Sequence, residues 1–185
     1  MIYQFTLISD EVEDFMREIQ IDSDASFLDL HQAILQSAGY SDNQMTSFFI
    51  CEDNWEKKTE ITLEEMDSSS DEDTYVMEST RLSELIEDEK QKLIYVFDPL
   101  TERSFFIELS KIILGKDLIV PVCTRKKGEA PAQEADLDAF TASLAAHTSE
   151  DLGENFYGDE SFNDDDFDPE GFDIAEGNPY DQDRF

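Results

Sequence analysis

The sequence has 185 residues, with 46 Asp and Glu against 13 Lys and Arg, for a formal net charge of -33. So large an acidic excess argues against direct binding of nucleic acid and against anionic membranes, because both need basic groups to neutralise phosphate; a basic protein or cationic surface is the expected partner. No apolar run approaches the roughly 20 residues that span a bilayer, and the alternating start lacks a basic leader, so a cytoplasmic location is expected.

Residues 2–9 and 15–22 alternate apolar and polar side chains around an acidic, turn-prone stretch at 10–14, which predicts a β-hairpin. From 26 to 40 the period changes. Phe27, Leu30, His31, Ile34, Leu35 and Ala38 fall on one helical face, with Ser26 and Asp29 as a capping box and Gly39 as a left-handed stop. Residues 46–51 alternate with large apolar groups on both faces, as a central strand would. A short β-prone segment follows around Ile61 and Leu63, then a polar loop at 67–73.

Thr80 is a candidate cap for a short helix carrying Leu82, Leu85 and Ile86. Two strands are expected at 93–97 and 104–109, around a turn that opens with Asp98 and Pro99. The apolar stretch 118–122 is a last strand candidate, confined to an edge or bulge by Pro121. The fold class that results is α+β: a single mixed or antiparallel sheet packed on one main helix, β-grasp-like in its β-β-α-β order, with an acidic C-terminal extension. A split βαβ sandwich is the alternative topology.

Composition changes after the basic run Arg125-Lys126-Lys127. The expected organisation is an α+β domain over 1–128, a linker and short amphipathic helix over 129–148, and an acidic-aromatic tail over 149–185. That tail carries 14 acidic residues against Arg184 alone, with Phe156, Tyr157, Phe162, Phe167, Phe172, Tyr180 and Phe185 interleaved. Such alternation predicts a segment disordered alone, because ordering a residue costs roughly 1–2 kcal/mol and isolated aromatics recover that only against a partner surface.

Two stretches carry a family resemblance. Phe27-Leu28-Asp29-Leu30-His31 through Ala38-Gly39-Tyr40 is similar to the Leu-His helix of the plasmid pRiA4b ORF-3-like family. Tyr95-Val96-Phe97-Asp98, followed by Phe106-Ile107-Glu108-Leu109, resembles that family's Tyr-x-Tyr-Asp strand and the strand after it, and Asp53-Asn54-Trp55-Glu56 resembles its bacterial members. The resemblance covers most of residues 1–128 and implies an α+β domain with ties to mobile elements. It implies no reaction. Two histidine-bearing segments of the family are replaced here, one by Gln44-Met45-Thr46 and one by the stretch Leu100 to Ser104.

Few residues suggest chemistry. His31 on the apolar helix face is either a core histidine bonded to a neighbour or, with Asp98 and the turn as far as Glu102, part of a polar site. His147 lies beside the tail, and no Ser or Cys motif accompanies either histidine. No metal or other cofactor is expected: Cys51 and Cys123 are far apart in no ligand spacing, so they read as reduced thiols. The calcium-loop pattern that opens at Asp166 fails where Asp173 and Gly177 stand. Arg125-Lys126-Lys127 reads as a solvated turn or as a cluster that holds a phosphate or the protein's own tail, and Trp55 as core or a surface anchor. The leading expectation is a non-enzymatic interaction protein whose tail residues Phe156, Phe162, Asp164, Asp165, Asp166, Phe167 and Phe172 contact a basic partner or imitate the charge of nucleic acid. The alternative is an enzyme built around His31 and the Asp98 turn.

Overall fold

A computed structural model describes residues 1–65, 75–136 and 141. The expected loop at 67–73, most of the helix at 137–144 and the tail at 149–185 lie outside the described residues. The chain divides into Met1–Asp136 and Leu137–Phe185, and the fold below is that of the first unit.

The opening alternation forms the expected hairpin of β1 (Ile2–Ser9) and β2 (Met16–Asp22), in register from Ile2 opposite Asp22 to Ile8 opposite Met16. Helix α1 (Phe27–Ala38) follows. Ser26 accepts from the Asp29 amide, the Asp29 carboxylate accepts in turn from the Ser26 amide, and Gly39 closes the helix at φ 76°. Then come β3 (Ser47–Cys51), β4 (Lys57–Thr62), the two-residue β5 (Tyr75–Val76), the one-turn α2 (Leu82–Leu85), β6 (Lys92–Asp98), β7 (Arg103–Ile113) and β8 (Val122–Lys127).

All eight strands join one sheet in the order β5-β4-β3-β6-β7-β1-β2-β8. It is mixed only through the parallel β4–β5 pair; every other pairing is antiparallel. The molecule is therefore α+β with one sheet and one substantial helix, and β3 is the central strand its two-faced apolar pattern predicts. The opening β-β-α-β order is also present. A β-grasp would set a parallel strand beside β1, whereas β1 here runs antiparallel to β7. The long β6–β7 hairpin inserts between β1 and β3 and fixes that direction.

The core lies between α1 and one face of the sheet. Phe27, Leu30 and Ile34 are fully buried there with Phe5, Leu7, Phe48, Tyr95, Phe105 and Ile107. Burial of each such side chain stabilises the fold by about 1.5–3 kcal/mol. On the other face a smaller cluster of Cys51, Ile94 and Val96 packs with Phe49, Trp55 and Phe106. Trp55 is thus half-buried, edge-on to Phe106, at a positive φ of 68° in the β3–β4 turn.

Two expectations shift. The cap of α2 is Arg81 rather than Thr80: Thr80 is buried and its carbonyl accepts from the Phe27 amide, while the Glu84 carboxylate bonds the Arg81 amide. The last strand is the basic segment rather than the apolar one. β8 starts only after Pro121, so Arg125, Lys126 and Lys127 lie in an edge strand instead of a solvated turn. Pro121 cannot donate to a ladder, which delays pairing until the residues beyond it.

Candidate functional site

His31 belongs to α1 by sequence spacing and to the core by packing, with no exposed surface. Its Nε2 lies 3.3 Å from Asp42 Oδ1 and its Nδ1 2.8 Å from the Tyr95 hydroxyl, with Thr46 Oγ1 at 3.4 Å. A carboxylate only accepts, so Nε2 carries the proton and Nδ1 accepts from the Tyr95 hydroxyl. Burial lowers the His31 pKa, against a smaller upward pull from Asp42, and burial pushes the Tyr95 phenol up. The ring is neutral at pH 7 and the phenol stays protonated. The cluster holds α1, β6 and the loop after α1 together, and reaches solvent through Asp42, whose side chain is 62% exposed. Asp42 also lines a cleft of about 410 Å³ with Asn43, Gln44, Met45, Leu63 and Glu64.

Asp98, the other candidate, ends β6 and shapes its own turn. Its carboxylate accepts from the amides of Leu100 and Thr101 and from the Thr101 hydroxyl at 2.7 Å. Its nearest cation is Arg103, at 3.8 Å. The contacts of Asp98 and those of His31 run through different residues.

Arg103 itself makes a bidentate pair with Glu11, both bonds at 2.9 Å, and donates to the carbonyls of Ala132 and Gln133. The segment 130–133 is held at the same place: the Tyr40 hydroxyl donates to the Pro131 carbonyl, Ser41 and Gln133 exchange bonds, and Ala130 packs on the core. Arg17 is more deeply placed. Its guanidinium bonds the carbonyls of Met16, Ser37, Lys127 and Gly128 and lies 4.4 Å from the Phe15 ring centre. Desolvation lowers its pKa, but a guanidinium remains charged throughout the physiological range. Gly128 is required where it sits: it has φ 65°, and a Cβ there would come within 2.5 Å of the Asp14 carbonyl oxygen.

The sequence reading singled out none of Arg17, Asp42, Thr46 or Arg103. One signal for Arg17 was available, since it shares the inward parity of Ile19 and Ile21. For the other three no local pattern exists, because their partners are brought near only by the fold. The tail residues Phe156, Phe162, Asp164, Asp165, Asp166, Phe167 and Phe172 lie outside the described residues. Cys51 is buried and Cys123 exposed, and neither is in a disulfide. Among the described residues there is no group of three or more His, Cys, Asp or Glu able to hold a metal ion, and no helix long and apolar enough to cross a membrane.

The sequence matches the family described as plasmid pRiA4b ORF-3-like protein over residues 2–176. The chain belongs to that family. The match extends well past Gly128, so the family's span takes in much of the acidic C-terminal region as well as the sheet. No curated relative matches. A crystal structure of a protein of unknown function from Methanosarcina mazei Go1 shares the fold, with a TM-score of 0.58 and 19% identity over 83% of this chain and 84% of that one. At that identity the likeness is one of fold. For the ORF-3-like chain, the Leu-His helix and the Tyr95 strand that carried the resemblance are now physically joined, since His31 and Tyr95 hydrogen bond across the core.

Proposed function

We propose that this ORF-3-like chain is an interaction protein, in which the α+β domain carries an acidic, aromatic-bearing segment that engages a basic partner or imitates the charge of nucleic acid. The observation that carries this reading is the inward closure of the His31 cluster. Both ring nitrogens are engaged and the ring is fully buried, so the cluster's chemistry is directed at the fold. The other feature of the chain is charge, with 14 acids and seven aromatics between residues 149 and 185. Acidic residues steer a cationic partner, and aromatics supply the anchors that steering alone lacks.

The test is a pull-down with the full chain at low and physiological salt, beside a variant with Phe162, Phe167 and Phe172 replaced by Ser and every acid retained. Loss of capture in the Ser variant is the expected result. Equal capture of the same proteins at physiological salt would make the segment a simple polyanion. A second reading, an enzyme, is favoured by one observation: Asp42, His31 and Tyr95 form an acid–imidazole–hydroxyl line that begins at a cleft. That reading requires His31 to ionise near neutrality, and burial pulls it the other way. An imidazole titrating close to pH 7 by NMR would restore it.

A further inference from the structure

Among the described residues β8 is an open edge. It lies at the end of the sheet, pairs there with β2 alone and has all six of its residues exposed. An unpaired edge offers a row of backbone donors and acceptors to any extended segment, so its side chains decide what is admitted. Here they are Arg125, Lys126 and Lys127, the only basic run in a chain of net charge -33. Arg125 and Lys127 touch Glu18 and Asp14 at 3.6 and 3.0 Å yet remain 61% and 58% exposed. Thr124 is an extra residue in the pairing, since Arg125 stands opposite Glu18 and Cys123 opposite Ile19, and this bulge increases the local twist of the edge. Upstream of Pro121, Ile119 is fully exposed and Val120 is 65% exposed, and Val122, the first residue of β8, is 46% exposed.

These features disfavour one occupant and fit another. Pairing with a second β8 would crowd two basic runs into one seam of six residues, and a parallel pairing would set them directly opposite each other, where like charges are destabilising. An acidic strand gains where the second copy loses. We propose that β8 is a docking edge for an extended segment of a partner protein, with acidic residues opposite Arg125–Lys127 and aliphatic residues opposite Val120 and Val122. Binding would add a ninth strand to the eight-stranded sheet.

The probe is a fluorescein-labelled peptide, Glu-Asp-Glu-Val-Thr-Val, made in both chain directions and titrated into the full chain by fluorescence anisotropy. Its charge-reversed counterpart is Lys-Arg-Lys-Val-Thr-Val. The expected result is saturable binding of an acidic peptide, slower amide exchange at residues 122–127 in the complex, and affinity that falls as salt screens the charges. Lys126→Glu should weaken binding by about tenfold or more, Lys126→Ala by less, and Lys111→Glu should leave it unchanged; circular dichroism confirms that each variant is folded. No saturable binding, equal binding of the charge-reversed peptide, or binding without slower exchange in β8 would each overturn the proposal.

Discussion

Arg17 places the largest local demand on the fold, because a charge taken from water needs every donor engaged. Its four hydrogen bonds all end on carbonyls, among them Ser37 in the last turn of α1, where the helix dipole favours a cation. Removing the guanidinium leaves carbonyls of the helix and of the β8 end without their donor. Arg17→Met should therefore destabilise by at least about 2 kcal/mol in urea titration, and Arg17→Lys should restore only part of it, since one ammonium cannot span both elements. His31 makes a pH-dependent contribution. Its pKa is lower folded than unfolded, so between the ordinary value near 6.5 and the depressed one the unfolded chain binds more protons. The stability it contributes is complete above about pH 7 and declines as pH falls through that window. His31→Gln should remove this part of the slope, read as the difference between wild-type and variant melting temperatures from pH 7.5 to 5.5.

At the scale of elements, α1 contributes through its buried face and its capped start. Ile34 is fully buried, so Ile34→Ala should cost about 2–5 kcal/mol by lost burial and a residual cavity. Ser26→Ala removes one half of the capping box and should cost about 1 kcal/mol. Glu18→Ala is the contrasting case, losing only a 3.6 Å surface pair with Arg125, and should change stability by less than about 1 kcal/mol. Thermal or urea unfolding of the three variants gives this ranking directly, and an Ile34 variant as stable as wild type would remove α1 from the core. Helix and hairpins were legible because each buries one face, which imposes a period of 3.6 or 2 on the residues themselves. Thr80 was misplaced by one residue because a backbone bridge from Ser26 to Arg81 joins the two helix starts, and no local pattern records that pairing.

For the whole molecule, the position at which the domain ends becomes measurable. The segment 130–133 is tied down by Tyr40, Ser41 and Arg103, so a chain ending at residue 128 should be less stable than one ending at 136 by about 2 kcal/mol or more. Comparable melting temperatures for the two would return the boundary to 128. A net charge of -33 also resists compaction, so added salt should raise the melting temperature of the full chain by screening that repulsion.

The sequence by itself determined the fold class, the hairpin, the main helix with both its caps, the two-faced character of β3 and the family. The family rested on the resemblance of two stretches to known members, and the rest follow from local periodicity or from residues adjacent in the chain. Tertiary structure decided the sheet order, the antiparallel seating of β7 beside β1, and the closure of His31 onto Tyr95, Thr46 and Asp42. It also turned Arg125–Lys127 from an apparent turn into an exposed edge strand. The physical reason is common to these cases: a strand's neighbour and a buried polar group's partner are set by contacts between distant residues, here 64 positions apart for His31 and Tyr95, and such contacts leave no periodic mark on the chain.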